Sequence, residues 1–281
     1  MIQETSQPAT PMHDIVTMPA SLPLDRIICG DNCEVMCTLP KESIDLVVTS
    51  PPYDDMRTYG GHSWDFYGVA WQLWRLTKQG GVVVWIVGDG VVDGSETGTS
   101  MRQALHFQQI GFRLHDTMVY EKSSFRFPDE TRYYQTWEYM FVFSKGKPKA
   151  YNPIEDREVA SAGTKVHGTT IDAKGNRTSV NHVQRVMKEK GVRHNVWRYK
   201  TGGGLIGDAI CHRHPAPYPE NLAGDHIRSW SNEGDVVLDP FSGSGTTAKM
   251  ARELGRKYIG IELNPEYVEI SLERLKQQLL W

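Results

Sequence analysis

The run Asp239-Pro240-Phe241-Ser242-Gly243-Ser244-Gly245-Thr246-Thr247 sets the architecture of this chain. It follows the apolar stretch Val236-Val237-Leu238 and leads into a helical pattern, Thr246 to Leu254, that Gly255 stops. A strand, a Gly-x-Gly turn and a helix form the arrangement that holds a nucleotide-like cofactor. The glycines allow a tight turn and let the ligand approach the backbone closely. In such sites an acidic residue ends the next strand, about 20 positions on, and binds ribose hydroxyls. Glu262 stands there, 23 positions after Asp239, at the end of the strand pattern Tyr258 to Glu262. Asp239, Phe241, Ser242, Gly243, Gly245, Thr246 and Glu262 are therefore candidate cofactor residues. The glycines, with Ala248, also fit a dinucleotide fingerprint, which keeps a dinucleotide-dependent oxidoreductase open as an alternative. Against it, such an enzyme normally begins with this unit, and here the unit closes the chain.

Outward from the loop, strand and helix patterns alternate. Arg26 to Cys29 reads as a strand ending at Gly30-Asp31, which makes Asp31 a candidate for an adenine amino group. Ile44 to Val48 is a second strand. Trp71, Leu73, Trp74 and Leu76 mark an amphipathic helix before Gly80-Gly81, and Val82 to Val87 is an unbroken apolar run of the kind buried in parallel sheets. Met101 to Ile110 and Leu222 to Ser229 read as helices, and Thr117 to Glu121 and Tyr139 to Phe143 as strands. Asn264-Pro265 starts a last helix with an N-cap and a first-turn proline. Its apolar face is expected at Val268, Leu272, Leu275 and Leu279. The alternation predicts an α/β fold, a mostly parallel sheet with helices on both faces.

The second strand runs directly into Thr49-Ser50-Pro51-Pro52-Tyr53. Two prolines stiffen the backbone and remove two N–H donors, so carbonyls are left to point into a cleft. Ser50 Oγ and the Pro51 carbonyl are suited to accept the two hydrogens of an amino group, and Tyr53 to stack on a base. Ser50, Pro51, Pro52 and Tyr53 are the candidate catalytic residues, and their work is positioning, with no metal and no covalent nucleophile.

A net charge of −3 does not advertise nucleic acid, but its distribution does. Between Lys145 and Leu205 there are thirteen Lys or Arg against five Asp or Glu, which leaves the rest of the chain strongly acidic. A basic segment within an acidic protein is the footprint of a DNA-contacting insert. Arg177, Arg185, Lys188 and Arg193 are the candidate contacts. The expected organisation is a loose Pro/Thr/Ser-rich tail over residues 1–23, a catalytic part over 24–149, a recognition insert over 150–204 closed by the hinge Gly202-Gly203-Gly204, and a cofactor-binding part over 205–281. Cys29, Cys33 and Cys37 read as free thiols of a reducing compartment, since a strand and the helix after it do not present them on one face. No apolar run is long enough to span a bilayer and the N-terminus lacks a secretory pattern, so a cytoplasmic protein is expected.

At T-S-P-P-Y, at D-P-F-S-G-S-G-T-T and at His214-Pro215-Ala216-Pro217-Tyr218-Pro219, the chain resembles the DNA amino-methyltransferases that modify adenine N6 or cytosine N4. The resemblance spans most of the chain outside the tail and the insert. Its motif order is that of the β class, which implies a circularly permuted Rossmann-like fold in which family-like strands three and four open the chain and one and two close it. It implies S-adenosylmethionine as cofactor, double-stranded DNA as substrate, base flipping, a restriction–modification or epigenetic setting, and often a homodimer. Ser50, Pro51 and Tyr53 match the catalytic motif; Phe241, Gly243 and Gly245 the cofactor loop; Glu262 the ribose acid; and Asp31 the acid at the adenine end. Tyr120 and Lys122 fall where the family has a strand-end aromatic residue and a lysine. Serine at the first motif position is commoner in cytosine N4 enzymes, whereas adenine enzymes are the larger set in the permuted class. The resemblance thus favours adenine N6 narrowly over cytosine N4. A DNA-binding regulator is a further alternative, and the intact S-P-P-Y and G-x-G argue against loss of methylation.

Overall fold

The computed structural model describes residues 21–53, 64–124, 130–165, 168–180, 186–201 and 206–277. Most of the expected tail, the Gly202–Gly204 hinge, Arg185 and Leu279 lie outside these residues. In chain order the elements are β1 (Arg26–Cys29), α1 (Asn32–Thr38), β2 (Ile44–Thr49), α2 (Phe66–Leu76), β3 (Thr77–Val87), the short β4 (Val91–Val92) and β5 (Ser95–Glu96), α3 (Thr99–Gln109), β6 (Arg113–Lys122) and β7 (Trp137–Ser144). Then come β8 (Arg157–Glu158), β9 (Gly168–Ile171), β10 (Arg177–Val180), β11 (Lys190–Gly191), β12 (Val196–Tyr199), a 3-10 helix (Ala209–Arg213), α4 (Glu220–Trp230), β13 (Val236–Asp239), α5 (Thr246–Glu253), β14 (Lys257–Glu262) and α6 (Pro265–Lys276).

Eight strands form one sheet in the order β1-β14-β13-β2-β3-β7-β6-β12. Every neighbouring pair is parallel except the two that involve β7. The first two strands of the chain flank the last two, with β1 against β14 and β2 against β13, as the permuted order requires. Period-two alternation sends side chains to opposite cores. Val47, Val83, Trp85, Phe141, Leu238 and Ile259 meet α1, α2 and α3 on one face, and Leu46, Val48, Val84, Ile86, Met140 and Val237 meet α4 and α5 on the other.

The structure departs from the sequence reading at three places. The strand expected from Val82 begins at Thr77, with Gly80 and Gly81 inside it. A Cβ on Gly81 would stand 3.0 Å from the Asp45 carbonyl, and one on Gly80 3.2 Å from that of Lys147, so the glycines let β3 pass neighbouring backbone rather than stopping it. The insert region is not separate from the sheet: β12 joins as the edge strand beside β6, burying Trp197 and Tyr199. On α6 the buried positions are Val268, Ile270, Ser271 and Arg274, while Leu272 is 42% exposed and Leu275 packs partly on the second core. Val268 is buried as expected, but the same inward face also carries Ser271 and Arg274, because it meets the glycine loop.

Candidate active site

The order in which successive strands are laid down reverses between the parallel strands β13 and β2: β13 leads on to β14 on one side and β2 to β3 on the other. The loops leaving these strands diverge and open a crevice at their C-terminal ends, where ligands bind in open α/β sheets. A cavity of about 920 Å³ occupies this crevice. It is lined by Asp31, Ser50 to Tyr53, Pro240 to Ser244, Thr246 and Glu262, together with Trp64, Lys122, Glu138, His214 and Tyr267. Segments far apart in sequence therefore share one site. Two hydrogen bonds stitch the two motifs directly: Thr49 Oγ1 donates to Asp239 Oδ1 (2.7 Å) and Thr247 Oγ1 to the Val48 carbonyl (3.0 Å).

Gly243 and Gly245 adopt left-handed φ values of 50° and 75°, which only glycine adopts at little cost. They serve different neighbours. A Cβ on Gly243 would lie 3.0 Å from His214 Nε2, whereas one on Gly245, outside the cavity lining, would meet Ser271 at 2.9 Å. Behind the loop, Ser271 Oγ donates to the Gly243 carbonyl (2.7 Å). Fully buried Arg274 donates to the Ser244 carbonyl (2.6 Å) and to Thr246 Oγ1 (3.1 Å), and pairs with Asp208 and Glu220. Sequence reasoning missed Arg274; the signal was a charge on the face of α6 that turns inward.

Glu262 accepts from the backbone N–H groups of Gly243 (2.8 Å) and Asn264 (2.9 Å) and still faces the cavity. Each carboxylate oxygen keeps acceptor capacity for a hydroxyl. Burial raises the Glu262 pKa, against the pull of those N–H groups. Asp31 caps α1 by accepting from Glu34 N–H (3.0 Å) and lines the same cavity. Asp239 is placed differently from the expectation. It is 1% exposed, does not line the cavity, and accepts from Thr49 and from Phe241 N–H (3.1 Å). Burial pushes its pKa up to about 6 despite the hydrogen bonds it receives. It shapes the loop from beneath.

At the other motif, Ser50 and Tyr53 are joined through their hydroxyls (2.7 Å). Tyr53 Oη donates to Glu138 Oε2 (3.0 Å), and the other Glu138 oxygen is held by Lys122. Lys122 was expected from sequence and Glu138 was not; its one signal was a lone acid in the apolar run Trp137 to Phe143. Tyr120 lines the cavity beside them, and burial, then the charge of Glu138, raises its pKa. Trp64 also went unnoticed; it meets Phe241 edge-on with ring centroids 4.9 Å apart. In the Pro-rich segment, His214 Nδ1 accepts from Ala216 N–H (3.1 Å), which turns Nε2 toward Gly243. Among the described residues no group of three or more His, Cys, Asp or Glu is placed to hold a metal ion.

The candidate DNA contacts divide. Arg177 is exposed on the β9–β10 ribbon with no ion pair among the described residues. Lys188 is exposed and pairs with Glu155 at 3.3 Å. Arg193 does not fit the expected role: its guanidinium pairs with Asp156 and Asp225, meets Tyr199 Oη, and lies over the Trp197 ring. These contacts tie the insert to α4.

Residues 44–273 match the model of a family described as DNA methylase, the N6/N4 methyltransferases. Over 241 residues the chain is 55% identical to the orphan methyltransferase M.BamHII of Bacillus amyloliquefaciens, covering 85% of this chain and 91% of that one. It is 29% identical to the DNA adenine methyltransferase YhdJ of Escherichia coli K12 over 89% of this chain and 82% of that one. Among solved structures, the cytosine-N4-specific PvuII DNA methyltransferase shares the fold, with a TM-score of 0.63 at 23% identity over 91% of this chain and 87% of that one. TTHA0409 from Thermus thermophilus, solved in complex with S-adenosyl-L-methionine, superposes with a TM-score of 0.58 at 26% identity over 88% and 93% of the two chains. A permuted sheet, a glycine loop and an S-P-P-Y platform around one cavity, with a family match over most of its length, place this chain in the N6/N4 DNA methylase family.

Proposed function

We propose that this DNA methylase is a site-specific enzyme of double-stranded DNA that modifies the exocyclic amino group of a base extruded into the cavity. The observation that carries this reading is the stitching of the S-P-P-Y and glycine loops by Thr49–Asp239 and Thr247–Val48 at the switch point. S-adenosylmethionine is the cofactor, and when bound it supplies an electrophilic methyl group on a sulfonium. The residues present fit it. Glu262 offers acceptors for ribose hydroxyls and Asp31 an acceptor for an adenine amino group, while Phe241, Ile261 and Leu263 give the same cavity an apolar wall. Ser50 Oγ and the Pro51 carbonyl take the two amino hydrogens, and Tyr53 and Trp64 offer faces for the ring. With both hydrogens engaged, the base nitrogen is oriented before reaction, and orientation of this kind removes several kcal/mol, up to about 10, from a bimolecular barrier.

Adenine N6 is the expected position from the motif order. Cytosine N4 is the second reading, favoured by serine rather than aspartate at position 50. Unmethylated DNA incubated with methyl-labelled S-adenosylmethionine, digested to nucleosides and read by mass spectrometry tests both. Label in N6-methyladenine or N4-methylcytosine names the base, and label in neither refutes the reading.

The same proposal places the enzyme in the cytoplasm, with its DNA, as a homodimer. Among the described residues no helix is long and apolar enough to cross a membrane. Tyr67 and Trp71 on α2 and Met101 and Leu105 on α3 are each more than half exposed, and the Tyr67–His106 ring contact (4.8 Å) shows that these helices adjoin. An apolar patch of this kind is suited to a partner. Sedimentation should show a dimer that Trp71→Glu with Leu105→Glu converts to monomer; a monomeric parent would refute it.

A further inference from the structure

Serine is a weak replacement for a carboxylate as the acceptor of an amino group, because its hydroxyl can donate as readily as it accepts. If Ser50 donated toward the base, it would compete for the nitrogen lone pair on which the chemistry depends. The contacts around it remove that freedom. Lys122 Nζ has only protons to give, so Glu138 meets it with a carboxylate oxygen. The other Glu138 oxygen accepts from Tyr53 Oη at 3.0 Å. Having donated its one proton to Glu138, Tyr53 Oη can only accept from Ser50 across their 2.7 Å contact. Ser50 in turn has donated its one proton, and anything else it meets in the cavity it must meet as an acceptor.

We infer that Glu138, set by Lys122, is a positioning residue that acts through Tyr53 to make Ser50 an obligate acceptor for the amino group of the target base. The inference deepens the functional reading above and rests on it. Four residues on three separate elements form the chain: Ser50 and Tyr53 after β2, Lys122 at the end of β6, and Glu138 at the start of β7. All four line the cavity. The direction of donation runs from Ser50 to Tyr53 to Glu138, and a negative charge at its far end strengthens each bond along it. Tyr53 thereby has two tasks, a ring face for the base and a hydroxyl that passes the polarity of Glu138 to Ser50.

The polarity can be reversed without changing the shape. Glu138→Gln leaves one oxygen, and Lys122 claims it. The amide NH₂ then faces Tyr53 Oη and donates to it, Tyr53 donates to Ser50, and Ser50 donates into the cavity. Tyr53→Phe cuts the chain instead, keeps the ring, and leaves Ser50 able to take either role. The expected order is therefore unusual. Glu138→Gln should lower the single-turnover methylation rate by about 100-fold and Tyr53→Phe by about tenfold. In the Tyr53→Phe background, Glu138→Gln should cost less than about threefold more. Cofactor affinity by calorimetry and base extrusion by 2-aminopurine fluorescence should stay near parental values in all three variants, which a merely structural role would not predict. Parental turnover in Glu138→Gln, or an equal cost of that change with and without the Tyr53 hydroxyl, would overturn the inference. Ser50→Ala separates the two levels of argument. Loss of turnover there with none in Glu138→Gln sinks the donor chain alone, and parental turnover in Ser50→Ala sinks the functional reading with it.

Discussion

Asp239 shows how a residue can be legible as important and misread as to its task. Its place before the glycine loop marked it for the cofactor, yet it lies beneath the loop, off the cavity, holding Thr49 and Phe241 N–H. Burial raises its pKa from an ordinary 3.8 to about 6. A carboxyl whose folded-state pKa is raised favours the folded state below its ordinary value, and that advantage is lost as pH climbs through 6. Above that pH the buried charge costs roughly 3 kcal/mol of stability. Asp239→Asn keeps an oxygen for Thr49 and cannot ionise. Its melting temperature relative to the parent should therefore rise between about pH 4 and about pH 6.5 and level off above, followed by scanning fluorimetry at about four pH values across that window. A difference that stays flat would show that Asp239 is not the group that titrates. The site residues that sequence disclosed, Ser50 and Glu262 among them, sit in motifs whose spacing carries the chemistry. Glu138 was hidden because one acid in a strand becomes informative only when Tyr53 and Lys122 are known to stand beside it.

At the scale of elements, the glycine loop and α6 act as one piece. Gly245 has no room for a side chain against Ser271, and Arg274 reaches through to the Ser244 carbonyl. Gly245→Ala combines a left-handed backbone with that collision and should cost about 1–3 kcal/mol. Arg274→Ala leaves Asp208 and Glu220 with Lys249 as their cation and strips the Ser244 carbonyl of its donor, and should cost about 2–3 kcal/mol. Both should lower melting temperature and S-adenosylhomocysteine affinity together, measured by fluorimetry and calorimetry. A loss of stability with full ligand affinity would mean that the loop holds its shape without α6. Periodicity located nearly every strand of the large sheet, because apolar runs and period-two alternation are local signals. It failed at β12, which carries Arg198 between Trp197 and Tyr199 inside a polar, basic segment and whose strand character comes from pairing with β6. It failed also on α6, where spacing implied leucines facing inward and the loop required Ser271 and Arg274 there.

Across the whole molecule, the basic insert does two jobs that charge alone cannot separate. Arg193 is committed to Asp225 and Asp156 and lies on Trp197, which meets buried His226 at a 31° tilt with ring centroids 4.6 Å apart. Desolvation holds His226 well below its ordinary range, at about 3, so it stays neutral and apolar in character at this junction. Arg177 stands on the surface of the β9–β10 ribbon. Arg193→Ala should therefore destabilise the fold by about 2 kcal/mol and leave the salt dependence of DNA binding unchanged. Arg177→Ala should leave stability intact and reduce the slope of log affinity against log salt by about 0.9. Fluorescence anisotropy over a salt series distinguishes them, and an unchanged slope in Arg177→Ala would remove it from the DNA interface.

By itself the sequence determined the α/β class, the permuted order of its motifs, the cofactor loop and the S-P-P-Y platform. These are written in short contiguous runs whose backbone demands are local: glycines at left-handed positions, prolines after a buried strand, apolar residues at fixed spacing. Tertiary structure alone decided which charges turn inward and which hydroxyl donates to which. Arg274, Arg193, Glu138 and the Thr49–Asp239 pair each draw their meaning from a partner more than twenty residues away. The free energy of a buried polar group depends on the partners that folding brings to it, and no local pattern in the chain records them.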